Sequence, residues 1–170
     1  MMQQNADRHF DGVRQIIPES RRLMLFDFDT SETAFHPEPD NLVLFEWKRK
    51  NIDNYLLVPQ AWLRAALGQI DEKMDTLFAQ PVKDQIDSFF IGENLTLPPG
   101  QSWRTVSANV FQVVDGKKLL FENEDSLFQR LRKSDPPLEL TRETVAVNMT
   151  ADEIHNDIHD FFARLKQIVK

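Results

Sequence analysis

Residues 23–29 read L-M-L-F-D-F-D, and the fold that we expect follows from this stretch. Its four apolar residues run directly into Asp27 and Asp29, a pattern typical of a buried strand. Because side chains alternate along a strand, both aspartates should project on the same side at its carboxyl end, where open α/β sheets bind ligands. Mg²⁺ prefers carboxylate, water and phosphate oxygens. The stretch therefore predicts a metal site at Asp27 and Asp29 for phosphoryl chemistry, with turn capping by the two aspartates as the alternative.

The composition excludes several classes of site. The chain has 170 residues, a net charge of −7 and no cysteine. The length predicts one domain, or one domain with an appendage. The lack of cysteine excludes disulfides, thiolate zinc sites and cysteine nucleophiles, and it fits a reducing cytosol. A strongly basic surface for nucleic acid is not expected either, although a metal ion could still bridge carboxylates to phosphate.

Targeting to a membrane is not indicated. The first ten residues, M-M-Q-Q-N-A-D-R-H-F, contain no apolar signal-peptide segment. No stretch of the sequence approaches the roughly 20 apolar residues that cross a bilayer. We therefore expect a cytoplasmic protein with no membrane association.

The order of elements favours an α/β fold with a small parallel sheet. Apolar spacing predicts a helix over residues 5–17 that Pro18 ends, and a second buried strand over residues 41–47. Helix, strand, loop and strand in this order suit a parallel sheet. We expect this α/β segment to occupy residues 1–58.

Residues 59–170 are expected to form a mostly helical extension packed on that segment. Separate helices are predicted over residues 60–67, 71–79 and 81–90, and a helical region with an interruption near Asn123 over residues 117–131. The last helix should follow a capping box of Thr150 and Glu153 and present an apolar stripe. The stripe consists of Ile154, Ile158, Phe161, Leu165 and Ile168, widened by Phe162 and Val169.

The segment after the second strand, residues 47–59, reads W-K-R-K-N-I-D-N-Y-L-L-V-P. It resembles the segment that follows the Asp-x-Asp strand in TOPRIM domains of the overcoming-lysogenization-defect (OLD) nucleases and related ATPase-associated phage-defence proteins. Asp53 stands where the family has a glutamate, and Asn51 replaces another acid. The matching residues are Arg49, Ile52, Asn54, Tyr55, Leu56 and Pro59.

Two further passages resemble the same family. Residues 116–120, G-K-K-L-L, are similar to a Gly-Lys and apolar pair found downstream in these proteins, and residues 150–154 precede an amphipathic helix as in their closing segment. The resemblance runs from about Ala6 to the end of the chain. It covers neither the family's ATPase domain nor its first TOPRIM strand with the motif glutamate. The chain therefore resembles the C-terminal part of such a protein, and we do not expect it to be self-sufficient as a nuclease.

The resemblance implies a metal-dependent nuclease that cleaves phosphodiester bonds in DNA or RNA. Asp27 and Asp29 match the metal-binding pair residue by residue, so they would hold Mg²⁺ or Mn²⁺, and Asp53 is a catalytic candidate in an outer shell. An ATPase subunit or a second copy of the chain is the expected protein partner. The alternative is a non-catalytic interaction module that binds a separately encoded ATPase or self-associates.

Two other groups of polar residues have competing interpretations. His155 and His159 are spaced as zinc ligands on a helix, but a half-exposed helix flank is favoured because Asn156 stands where a metalloprotease has its glutamate. The run from Lys48 to Lys50 could contact phosphate, although a solvated charged face is favoured.

Asp53 and Tyr55 also allow two interpretations. They could orient Arg49 or a metal-bound water. Alternatively, Asp53 could simply complement the positive end of a helix.

Overall fold

The computed structural model describes residues 2–28, 42–70 and 75–169. Helix α1 (Met2–Ile16) precedes strand β1 (Arg22–Phe26), and β2 (Leu42–Glu46) lies parallel to β1. Arg22 pairs with Leu42 and Phe26 with Glu46, and the ladder continues through a bond from Trp47 N–H to Phe26 O at 3.0 Å. The predicted mixed α/β fold with a small parallel sheet is therefore confirmed.

The other regular elements of the described chain are helical. A 3-10 turn (Ile52–Leu56) follows β2, and a π-helical turn (Lys118–Glu122) lies further along the chain. The π-helical turn ends at Glu122, and Asn123, where the sequence predicted an interruption, follows it as the cap residue. The helices are α2 (Pro59–Leu67), α3 (Asp75–Gly92), α4 (Asn109–Val113), α5 (Leu127–Arg132), α6 (Arg142–Val147) and α7 (Asn156–Val169).

The hydrophobic core lies in the helical part of the chain. Helices α2 and α3 pack on each other, α2 also packs on α6, and α3 on α5. Trp62 is completely buried, and its indole N–H donates to Leu56 O at 2.9 Å, which satisfies the polar end of the ring. The largest fully buried side chains around it are Leu57, Ile86, Phe90, Leu95, Phe111, Leu120, Leu127 and Leu131.

The prediction that the first strand is buried was wrong. Each residue of β1 is at most partly buried, and Leu25 is 46% exposed. Among the described residues, β1 has one strand neighbour, β2, and is contacted by α7. Apolar sequence alone cannot show how many layers cover a strand, because that depends on elements distant in the chain.

A single helix, α3, occupies the segment predicted as two helices. Pro81 lies inside α3, although proline removes one backbone hydrogen bond from a helix interior. The residues that follow Pro81 bury an apolar face, and this packing outweighs the lost bond. That face consists of Val82, Ile86, Phe89 and Phe90. The predicted start of the segment, residues 71–74, lies outside the described residues.

The last helix begins later than predicted. Thr150 N–H donates to Glu153 Oε2 at 2.8 Å, as in a capping box, but this bond closes an isolated turn. Helix α7 starts at Asn156, whose N–H donates to Arg104 O at 3.0 Å. A contact from a distant segment therefore fixes where α7 begins.

Part of the predicted stripe on α7 is confirmed. Ile158, Phe161 and Leu165 are partly buried, whereas Phe162 and Val169 are exposed and do not widen the covered face.

Candidate functional site

Asp27 lies directly after β1, at the carboxyl edge of the parallel sheet, as the sequence predicted. Its side chain is exposed to solvent. Asp29, the second member of the predicted metal pair, lies outside the described residues. The geometry of the pair is therefore defined at Asp27 alone.

A polar cleft opens beside Asp27. It has a volume of about 480 Å³ and brings the aspartate together with lysines from two other segments, Lys50 and Lys117. Partial burial raises the pKa of Asp27, and repulsion from the Asp53 carboxylate raises it further, while Lys117 acts in the opposite direction. A cation placed close to Asp27 would stabilise the charged form of this carboxylate.

Asp53 is held by an arginine that the sequence analysis did not identify. Arg142 Nε donates to Asp53 Oδ1 at 2.7 Å, and Nη2 donates to Oδ2 at 3.2 Å. The Arg142 guanidinium also lies over the Phe121 ring, 4.2 Å from its centroid. This fork engages both oxygens of Asp53 and balances its charge, which disfavours a direct metal contact.

The other acids of the cleft are also paired with cations. Asp115 Oδ2 lies 3.5 Å from Lys50 Nζ, and Glu122 Oε1 lies 2.9 Å from Lys117 Nζ. Within residues 2–28, 42–70 and 75–169, no group of three His, Asp or Glu side chains could hold a metal ion. Asp27 fits as one hard oxygen ligand, and a metal site would have to be completed by Asp29, water or substrate.

Asn54 joins two of the segments that carry the family resemblance. Its Nδ2 donates to Phe111 O at 3.0 Å and to Val114 O at 2.8 Å, and its Oδ1 accepts from Gly116 N–H at 3.0 Å. The side chain is completely buried, so these bonds satisfy most of what an amide can form. A Cβ on Gly116 would stand 2.6 Å from Asn54 Oδ1, which explains why a glycine fits there.

Tyr55 takes part in a buried network centred on Asp157. Tyr55 Oη donates to Asp157 Oδ2 at 2.6 Å, and Lys48 Nζ contacts Oδ1 at 2.7 Å. Burial alone would raise the pKa of Asp157, but the bonds from Lys48 and Tyr55 outweigh it and hold the pKa below its usual range. Burial and the bond to Asp157 both raise the pKa of Tyr55, which therefore stays protonated.

Arg49 was predicted to belong to a solvated charged face, and this was wrong. The residue is only 3% exposed, whereas its neighbours Lys48 and Lys50 are exposed as predicted. The guanidinium stacks on Tyr55, with 4.8 Å between the guanidinium carbon and the ring centroid, and donates to Asn54 O at 2.8 Å. Tyr55 therefore contacts Arg49, whereas Asp53 is paired with Arg142. Arg49 is buried because aromatic rings cover its planar head and carbonyls accept its protons.

His155 does not form a zinc pair with His159. It lies before α7, is 8% exposed, and its Nδ1 accepts from Asp157 N–H at 3.2 Å, so it caps the helix. The other ring nitrogen, Nε2, then carries the proton and donates to Val106 O at 3.2 Å. Burial and the nearby Arg49 lower the pKa of His155, which is consistent with this neutral tautomer. His159 is exposed on α7, so the interpretation as a helix flank fits His159 but not His155.

Sequence reasoning missed Asp157 and Arg142. Asp157 is separated from Tyr55 by 102 residues, and Arg142 from Asp53 by 89. Asp157 lies in the first turn of α7, but the predicted helix began earlier in the chain, so no local pattern distinguished this acid. No local pattern marked Arg142.

An apolar groove lies between the sheet and α7. It has a volume of about 500 Å³ and is lined by Leu25 from β1, Ile52 from the 3-10 turn, and Phe161 and Phe162 from α7, among others. Leu25, Ile52 and Phe162 each remain about half exposed. Asp27 lies at the rim of this groove as well as in the polar cleft, so the two surfaces meet at that residue.

Comparisons with protein-family models, curated proteins and solved structures found no match to this chain. Among the residues that the structure describes, no helix has both the length and the apolar character needed to cross a bilayer.

Proposed function

We propose that this chain is the C-terminal, TOPRIM-like part of an OLD-type ATPase-associated nuclease that acts in the cytoplasm. The observation that carries the proposal is Asp27, an exposed carboxylate at the carboxyl edge of a parallel sheet, beside a cleft with several lysines. Carboxylate and lysine side chains together suit a metal ion bound to a phosphodiester. The bonds between Asn54 and the Gly116 segment further support the proposal, because they bring together two passages on which the family resemblance rests.

In this proposal Asp27 and Asp29 hold Mg²⁺ or Mn²⁺. When bound, the cation supplies positive charge next to the phosphodiester. Lys50 and Lys117 line the same cleft and can contact phosphate oxygens once nucleic acid displaces their acidic partners. Asp53 is paired with Arg142 and raises the pKa of Asp27 by repulsion, so in this proposal it acts as an outer-shell group.

Calorimetric titration with Mn²⁺ tests the metal site. Wild type should bind Mn²⁺, Asp27→Asn should abolish the binding, and Asp29→Asn should weaken or abolish it. Asp152→Asn is the matched control, because it removes one exposed carboxylate elsewhere. If wild type does not bind Mn²⁺, or if all four proteins bind it equally, the proposed metal site is wrong.

Nuclease activity needs a separate assay. Cleavage of plasmid DNA and of a structured RNA should be followed with Mg²⁺ or Mn²⁺, with the chain alone and with a candidate ATPase subunit. We expect cleavage to require the ATPase subunit and to be lost in Asp27→Asn. If the chain binds metal but no cleavage is seen under any of these conditions, the proposed nuclease function is wrong. The chain would then be a metal-binding module.

The apolar groove favours a second candidate, a protein-interaction module. Half-exposed Leu25, Ile52 and Phe162 around a 500 Å³ groove form a larger apolar surface than isolated exposed residues do. Sedimentation velocity should then show a concentration-dependent dimer that Phe162→Asp dissociates. Ile91→Asp, which changes an exposed apolar residue on α3, should leave the dimer intact. A monomer at all concentrations would exclude self-association through the groove.

A further inference from the structure

A second cavity, separate from the Asp27 cleft, is lined by cations without a lining carboxylate. It has a volume of about 180 Å³, and its cationic side chains are Lys48, Arg49 and Arg104. The polar groups that complete the wall come from Ser107, Gln112 and His155. The two cavities share no lining residue, so this cavity does not depend on the metal proposed at Asp27.

Arg49 provides a buried positive charge at this cavity. In the described part of the chain it forms no salt bridge, and its hydrogen bonds are to two carbonyls, Asn54 O at 2.8 Å and Val106 O at 3.4 Å. Burial lowers the pKa of Arg49 to about 10, so the side chain remains charged at neutral pH. A guanidinium has five N–H donors, and two carbonyls leave further donors available to a ligand in the cavity.

Arg104 adds a second charge without a carboxylate partner among the described residues. Its Nε donates to Asn156 Oδ1 at 3.0 Å, which leaves both terminal nitrogens of the guanidinium without a described bond. Lys48 is balanced by Asp157, and His155 is neutral as the cap of α7. The cavity therefore carries about two positive charges in excess. Its volume would otherwise hold several water molecules, each of which occupies roughly 30 Å³.

We propose that this cavity binds a phosphate group, with Arg49 at its base and Arg104 at its mouth. Arginine binds phosphate oxygens in a bidentate fashion, and burial strengthens the attraction because water screens it less. The phosphate can belong to a nucleic-acid backbone or be free in solution, since the chemistry of recognition is the same. A bound phosphate would also place a negative charge in direct contact with Arg49, which forms no salt bridge among the described residues.

Titration with inorganic phosphate, followed by amide NMR shifts in EDTA, tests the site without any metal. Binding should shift the amides of residues 104–107 and 155–156. Arg104→Gln should weaken binding about tenfold, which is the effect expected from losing a charge-assisted hydrogen bond. Arg132→Gln is the matched control, because it removes one exposed arginine whose closest acid, Glu139, is 3.7 Å away. Because Arg104 is exposed, its substitution should not prevent folding.

Equal affinity of wild type and both variants, or shifts scattered over surface lysines, would mean an adventitious ion only and would overturn the proposal. The absence of any binding would overturn it as well.

A short single-stranded oligonucleotide distinguishes the two sources of phosphate. If the site holds a nucleic-acid backbone, the oligonucleotide should bind more tightly than inorganic phosphate. Arg104→Gln should then reduce the slope of log K against log salt by about 0.7, the value for one phosphate contact on a single strand. If the site holds free phosphate, inorganic phosphate should bind at least as tightly, and the oligonucleotide should show no such change in slope. Either result supports a phosphate site in this cavity. Neither result depends on whether Asp27 binds Mn²⁺.

Discussion

Replacement of Gly116 by alanine should destabilise the protein strongly, because the new methyl group meets Asn54. The added Cβ would lie 2.6 Å from Asn54 Oδ1, 2.9 Å from its backbone nitrogen and 3.0 Å from its Cα. Two of these three atoms belong to the backbone and cannot rotate away. One of the two segments must therefore move, and the bond from Gly116 N–H to Asn54 Oδ1 must lengthen or break.

The expected magnitude follows from two costs. Overpacking of a well-packed site costs about 1–3 kcal/mol. A buried donor or acceptor left without its partner costs roughly 1–3 kcal/mol more. Since the movement that relieves the clash is also the movement that breaks the bond, the two costs partly replace each other. We expect Gly116→Ala to lower the free energy of unfolding by about 2–4 kcal/mol.

Urea denaturation followed by circular dichroism measures this change. With a slope of about 2 kcal/mol per molar urea, the midpoint should fall by roughly 1–2 M. Gly12→Ala is the matched control, because no heavy atom lies within 4 Å of a Cβ at this position inside α1. Alanine there should stabilise the helix by about 0.5–1 kcal/mol. A Gly116→Ala protein as stable as wild type would refute the reasoning that Asn54 holds this segment in place.

Two further predictions concern the charged groups. Asp157→Asn should lower the free energy of unfolding by about 2 kcal/mol at pH 7, because the bonds from Lys48 and Tyr55 lose their charged acceptor. The pKa of Asp157 is lowered in the folded state, so its contribution to the free energy of unfolding is present above its unfolded pKa and is lost as pH falls below about 4. Urea titrations should therefore show a smaller stability difference between Asp157→Asn and wild type at pH 3 than at pH 7. An equal difference at both pH values would contradict the role of the Asp157 charge. Asp53→Asn should lower the pKa of Asp27, because the substitution removes the repulsion between the two carboxylates. Titration followed by carboxyl ¹³C NMR measures this pKa. An unchanged pKa would show that the two carboxylates do not interact.

The sequence predicted the sheet because strand signals are local. Four apolar residues in a row, bounded by polar ones, mark β1 whatever surrounds it, and the same holds for β2. The order of elements then favoured the parallel pairing that the structure has. Boundaries were less predictable: α7 starts at Asn156 because of a bond to Arg104 O, and α3 continues through Pro81 because of packing.

The candidate site was predictable only at the positions next to a strand. Asp27 follows β1 directly, so its place at the edge of the sheet follows from chain connectivity. The burial of Arg49 could not be predicted from the sequence. Its neighbours Lys48 and Lys50 are exposed, and nothing in this short run of basic residues distinguishes the middle one. Its burial depends on Phe111, which stacks on it from far along the chain.

Local sequence was sufficient to place the two strands, the aspartate after the first strand, and part of the apolar face of α7. These features depend on residues that are neighbours in the chain, so periodicity and connectivity are sufficient to place them. The partners of the charged groups depend on the folded chain: Asp53 pairs with Arg142, and Asp157 pairs with Lys48 and accepts from Tyr55. Each of these pairs joins residues about a hundred positions apart, and long-range Coulomb and hydrogen-bond partners leave no periodic pattern in the sequence.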